Sequence, residues 1–124
     1  MALGGISEII IYVQDMAAAV EFYRDRLGLE LCWPADSADY SAESWVTFHT
    51  GQCTLALHGG LELVQKQVQP RFGFDVDDIE AARSELISRG VECSEVRSPA
   101  PGVQVVDCSD PEGNGFFIEH NSYR

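Results

Sequence analysis

The chain has 124 residues, enough for one domain with a packed core, and 45% of them are hydrophobic, which argues for a folded globule rather than disorder. Twenty acidic residues against eight basic ones leave a net charge of −12, a surface that repels phosphate backbones, so nucleic acid is not an expected partner. No apolar run approaches the ~18 residues of a membrane span, and the start, MALGGISEII, lacks the basic and apolar regions of a signal peptide, so the expected location is cytoplasmic with no membrane partner.

In chain order, Ile6 to Val13 alternates Ile9, Ile11 and Val13 against Glu8, Ile10 and Tyr12 and predicts a strand. Asp15 is the expected N-cap of a helix whose buried stripe is Met16, Ala19, Val20, Tyr23 and Leu27, stopped at Gly28. Leu29 to Trp33 is a short predicted strand ending at Pro34, and Ala35 to Ser44 is a predicted loop. Trp45 to Thr50 and Cys53 to His58 are strands joined by a hairpin at Gly51-Gln52. Leu61 to Gln69 is ambiguous and is taken as a connector with a helical turn.

The pattern then starts again. Arg71 stands 63 residues after Glu8, and at the same offset Val76 matches Val13, Asp78 matches Asp15, and Ala81 and Ala82 match Ala18 and Ala19. A weaker match sets TLALHG from Thr54 over GFFIEH from Gly115. Phe72, Phe74 and Val76 are expected on the helix side of the second opening strand. Asp77 with Glu80 predicts a capping box, Ile79, Ala82, Leu86 and Ile87 the helix stripe, and Gly90 its end. Glu92 to Arg97 is a predicted strand, Ser98 to Gly102 a proline-rich loop, Val103 to Cys108 a strand, Asp110 to Asn114 a turn and Gly115 to His120 the last strand.

The order is therefore βαβββ twice. The expected fold class is α+β, a single domain over residues 1–124: module one at about 5–60, a connector at 61–69 and module two at about 70–121. One helix covers one face of each four-stranded sheet, so the other, curved faces are expected to enclose one cavity.

The four cysteines, Cys32, Cys53, Cys93 and Cys108, have no metal-ligand spacing and are expected as buried free thiols. His49 and His120 are expected as ordinary strand-end histidines.

The pattern I-x-x-V-x-D-M-x-x-A-V-x-F-Y-x-D-x-L-G-L, with T-L-A-L-H, F-x-V-D-D-I-x-A-A and D-P-E-G-N after it in that order, resembles the vicinal oxygen chelate superfamily, which includes glyoxalase I, extradiol dioxygenases and fosfomycin- and bleomycin-resistance proteins. The resemblance implies paired βαβββ modules, a homodimer, and a small molecule bound in a cavity. It also implies four inward positions for metal ligands, and here these hold Glu8, Ala56, Arg71 and Phe117. Alanine and phenylalanine have no donor atoms and arginine is a cation, so the expected cofactor is none. The alternative is a divalent metal ion at a shifted set, Glu8, His58 and Glu119.

Two function classes follow. One is metal-independent binding of a small, largely apolar or aromatic and possibly acidic molecule, as in the bleomycin-resistance branch. Its candidate ligand-binding residues are Glu8, Tyr12, Trp33, Trp45, Ala56, His58, Arg71, Phe117 and Glu119, with Tyr40 near the edge. Arg71 is the expected anchor for a carboxylate or phosphate. The other class is a glyoxalase- or dioxygenase-type enzyme, with Glu8 as a base made effective by burial or with the shifted metal. The reading that competes with the shifted metal set is that Glu8 pairs with Arg71 across the pseudo-two-fold, while His58 and Glu119 hydrogen-bond near the cavity rim.

Overall fold

The structure is a computed structural model, and it describes residues 6–60 and 71–123. The chain divides into two compact units, Met1–Gln67 and Val68–Arg124. The expected connector at 61–69, with its helical turn, lies outside the described residues.

The first unit runs β1 (Glu8–Tyr12), α1 (Met16–Val20), a π-helical continuation (Glu21–Arg26), β2 (Glu30–Trp33), a 3-10 turn (Tyr40–Ala42), β3 (Trp45–His49) and β4 (Thr54–His58). Its sheet is ordered β1-β4-β3-β2. The Asp15 carboxylate accepts from the Ala18 amide at 3.0 Å and starts the helix. Beyond Val20 the helix widens, and the Leu27 amide bonds the Phe22 carbonyl five residues back. The wider turn brings the successive rings of Phe22 and Tyr23 into the core together, 2% and 0% exposed. Gly28, at φ 74°, turns the chain out of the helix. Ile11, Val46, Phe48, Leu55 and Leu57 are the buried residues on the helix side of the sheet.

The second unit runs β5 (Phe72–Asp75), α2 (Ile79–Ser88), β6 (Glu92–Cys93), β7 (Arg97–Ala100), β8 (Val103–Ser109) and β9 (Gly115–Asn121). Its sheet is ordered β5-β9-β8-β6, with β7 also pairing β8. Phe72, Phe74 and Phe116 form a ring cluster on the helix side, with centroids 5.7 to 6.2 Å apart.

The internal repeat is visible in the register. The first and last strands of each unit pair in parallel: Ile9 stands opposite Leu55 in the first, and Phe72 opposite Phe116 in the second. The two copies are one module in two sequences.

Four expectations are corrected. The second N-cap is Asp78, whose carboxylate accepts from the Ala81 amide at 3.1 Å; Asp77 with Glu80 is not the cap. Asp78 is the repeat partner of Asp15, so the position was already marked by the 63-residue offset. The expected strand Glu92 to Arg97 is two short pieces with a break between them, and the expected loop at Ser98 to Gly102 begins as part of strand β7. Pro99 falls within the irregular pairing between Arg97 and Ala100. That strand is exposed throughout, the sheet-edge position where a residue without an N–H is tolerated. The second module is therefore βαββββ. Ile87 is 45% exposed and lies off the buried stripe of α2.

Among the described residues no helix is long and apolar enough to cross a membrane.

Candidate functional site

In the first module the face of the sheet away from the helix is set by register. Glu8, Ile10 and Tyr12 stand opposite Thr54, Ala56 and His58. Across β3, Ala56 stands opposite Thr47 and His58 opposite Trp45. Ile10 and Tyr12 are 38% and 40% exposed although both are large and apolar in body. The opposite face of the same strand buries Ile11 at 2%.

Trp33 joins this face through an irregularity. Leu31 stands opposite Phe48, which is fully buried on the helix side, and strict alternation would send Trp33 to that side as well. The register shifts between Leu31 and Trp33, so Trp33 stands opposite Thr47 instead and is 56% exposed. Trp33 and Trp45, the two tryptophans of the chain, therefore lie on one open sheet face.

His58 is the polar centre of this face. Its ring lies 5.5 Å from the Tyr12 ring and 5.4 Å from the Trp45 ring, the latter edge to face. Its Nδ1 lies 3.0 Å from the Gly59 carbonyl oxygen, which only accepts. Nδ1 therefore carries the proton, and in the neutral ring Nε2 keeps its lone pair. The arrangement offers one hydrogen-bond acceptor, or one proton acceptor, between two aromatic rings.

The 3-10 turn is tied down beside this sheet. The Tyr40 hydroxyl donates to the Pro34 carbonyl at 2.9 Å, so Tyr40 holds the loop after β2. Ala56 is fully buried and offers only a floor between Ile10 and Thr47.

In the second module the corresponding face is ionic. Arg71 donates to Asp107 at 2.5 Å, and its guanidinium lies 5.4 Å over the Phe117 ring. Arg97 binds the same carboxylate at 2.7 Å. Gly73 stands opposite Phe117, and a Cβ at residue 73 would clash with the Phe117 ring. The glycine gives the ring its place under Arg71. Glu119 stands opposite Asp75 and Val105.

Two site expectations are corrected here. The carboxylate that Arg71 engages is Asp107 of its own module. The cause is the register, which sets Asp107 opposite Phe117 and within reach of a long side chain crossing that ring. Arg71 is also 53% exposed, not deeply buried. The shifted metal set fails on distance. Glu8 stands opposite Thr54 and His58 opposite Tyr12, four residues apart in register, or about 13 Å along the strands. One ion needs its ligands within about 2–2.6 Å. Among the described residues no three His, Cys, Asp or Glu side chains form a group able to hold a metal ion. The donor set at Glu8, Ala56, Arg71 and Phe117 likewise does not fit one. Glu8 is exposed, so the burial that its role as a base called for is not supplied.

The Arg97 hydrogen bond, with help from Arg71, holds the Asp107 carboxyl at about 2, below its ordinary 3.8. A depressed carboxylate stabilises the fold above its unfolded value, and that contribution is lost as pH falls from about 4 to about 2. Asp107→Asn is expected to remove this pH dependence. Urea unfolding of both proteins across that range checks it: the gap between them should narrow on acidification, and a constant gap would count against the ion pair. Asp107 is 35% exposed, so solvent screens part of the effect.

A family model described as Glyoxalase/Bleomycin resistance protein/Dioxygenase superfamily matches residues 5–118. The chain belongs to this superfamily. No curated protein matches it in sequence. Among solved structures it is similar to TnmS3, an antibiotic binding protein from Streptomyces sp. CB03234, with 22% identity, 98% of this chain and 99% of that one covered, and a TM-score of 0.79. It is also similar to lactoylglutathione lyase from Agrobacterium tumefaciens, with 23% identity, 98% and 97% coverage and a TM-score of 0.77. A glyoxalase family protein from Enterococcus faecalis matches at 18% identity, 93% and 96% coverage and a TM-score of 0.72. At these identities the likeness shows the fold alone. The superfamily and its α+β fold of two curved sheets agree with the motif resemblance.

Aromatic exposure on the open face was legible in part from alternation, which places Tyr12 with Glu8. The role of Asp107 was missed. No motif marks it, and its importance comes from two arginines brought to it by β7 and β5.

Proposed function

We propose that this superfamily member binds a small, largely aromatic molecule on the open face of the first sheet, without a metal ion. The observation that carries the proposal is the set of exposed Ile10, Tyr12 and Trp33 around a histidine whose Nδ1 is already committed. Flat apolar surface with one oriented polar atom suits a planar ligand that donates a hydrogen bond to His58 Nε2. The fold likeness to an antibiotic binding protein supports the binding class.

Tryptophan fluorescence titration with a panel of aromatic acids and their neutral amides, in EDTA, tests this. Saturable quenching is expected, with His58→Ala or Trp45→Ala weakening binding about tenfold, equivalent to ~1.4 kcal/mol. Unchanged affinity in both variants would remove the site, and loss of binding in EDTA would restore a metal. Turnover of a ligand, seen by mass spectrometry in the same mixtures, would instead make the protein an enzyme with His58 as base.

A further inference from the structure

Four cysteines spread over the chain suggest four independent thiols, and the pairing of β6 with β8 changes that reading for two of them. Cys93 stands directly opposite Cys108 in the antiparallel register. The next pair along is hydrogen-bonded, the Ser94 amide donating to the Asp107 carbonyl at 2.8 Å. Cys93 and Cys108 therefore occupy the alternate, non-hydrogen-bonded position, where opposed Cα atoms are closest, at about 4.5 Å. Their sulfur atoms lie 3.7 Å apart. Both fall in the second module and within one sheet, so no movement of large elements is needed to join them.

The two thiols are not equivalent. Cys108 is 7% exposed, and burial, with Cys93 beside it, pushes its thiol up to about 12. Cys93 is half-buried at the end of a two-residue edge strand and is the more accessible of the pair. The edge strand is short and held on one side, so the sulfur atoms can close from van der Waals contact to the ~2.05 Å of a disulfide bond.

We propose that Cys93 and Cys108 form a redox modification site, oxidised by a peroxide to a cross-strand disulfide that staples β6 to β8. In the first step the Cys93 sulfur attacks one peroxide oxygen. The O–O bond breaks, water leaves, and Cys93 becomes a sulfenic acid. In the second step the Cys108 sulfur attacks the Cys93 sulfur. The S–O bond breaks, and the hydroxide leaves as water with the Cys108 proton. The pair loses two electrons and two protons, and the peroxide takes them up. Cys32 and Cys53 take no part.

The test is hydrogen peroxide treatment of the full chain, followed by thiol counting in denaturant and peptide mapping. Four free thiols are expected before treatment and two after, with a mass loss of about 2 Da, a Cys93–Cys108 cross-link, and recovery of all four on adding dithiothreitol. Cys93→Ser should keep its remaining three thiols under the same treatment. Four thiols persisting in the wild type, a link through Cys32 or Cys53, an intermolecular disulfide, or a sulfinic acid at Cys93 beside a free Cys108 would each overturn the proposal. Because Cys108 is buried and its replacement can unfold the module, the mapped cross-link in the unmodified chain is the deciding readout.

Discussion

Phe48→Ala is expected to lower the stability of the first module by about 3–5 kcal/mol. Phe48 is fully buried in β3, and its ring lies 6.2 Å from that of Tyr23, itself fully buried. Tyr23 in turn packs edge to face on Phe22 at 5.1 Å. Truncation removes the ring that joins the helix to the sheet, and neighbours held by a π-helical turn and a hydrogen-bonded sheet cannot collapse into the space. Ile10→Ala, on the open face, should cost well under about 2 kcal/mol because its side chain is already partly solvated. Both tryptophans lie in the first module, so denaturant unfolding followed by fluorescence reports on that module. Similar losses in the two variants would show that the core is not where the register places it.

The second large effect is expected at Asp110 in the D-P-E-G-N turn between β8 and β9. Asp110 is 6% exposed, and one carboxylate oxygen accepts from the amides of Glu112 and Asn114 at 2.9 and 2.8 Å. The other accepts from the Asn114 side-chain amide at 2.9 Å. Gly113, at φ 83°, takes the left-handed conformation that closes the turn. Asp110→Ala strands two backbone donors beneath the turn, and the cost expected is about 3 kcal/mol. Asp110→Asn keeps an oxygen for both amides and should recover more than half of it. Far-UV circular dichroism melts of the three proteins give the comparison. Equal losses in the two variants would mean that the backbone amides are not what the carboxylate secures. Within the second module the turn sets the register that brings Phe117 opposite Asp107 and under Arg71.

Asp110 shows what local sequence carries. The D-P-E-G-N motif announces its turn because aspartate, proline and glycine each act within the turn itself. The two helices are legible for the same reason: Asp15 and Gly28 bound the first by local hydrogen bonds and backbone conformation. The duplication was legible as well, since Ile9 and Phe72, 63 residues apart, prove to occupy equivalent places in two sheets. From alternation alone, Glu8, Ile10 and Tyr12 were bound to share a face.

What no local pattern carries is which strand lies beside which, and in what register. A shift of one residue in β2 moves Trp33 from the core side to the open face, and the sequence around Cys32 gives no sign of it. The hydrogen bond that leaves His58 Nε2 as an acceptor depends on how the chain turns at Gly59. Asp107 becomes the carboxylate of two arginines, and Cys93 the neighbour of Cys108, only because β8 pairs with β9 on one side and with β6 and β7 on the other. Helix caps and turns close over three or four residues and so are written in neighbouring letters. Sheet register is settled by burial and by hydrogen bonds between segments up to 46 residues apart, as between Glu8 and Thr54, and only the folded chain decides it.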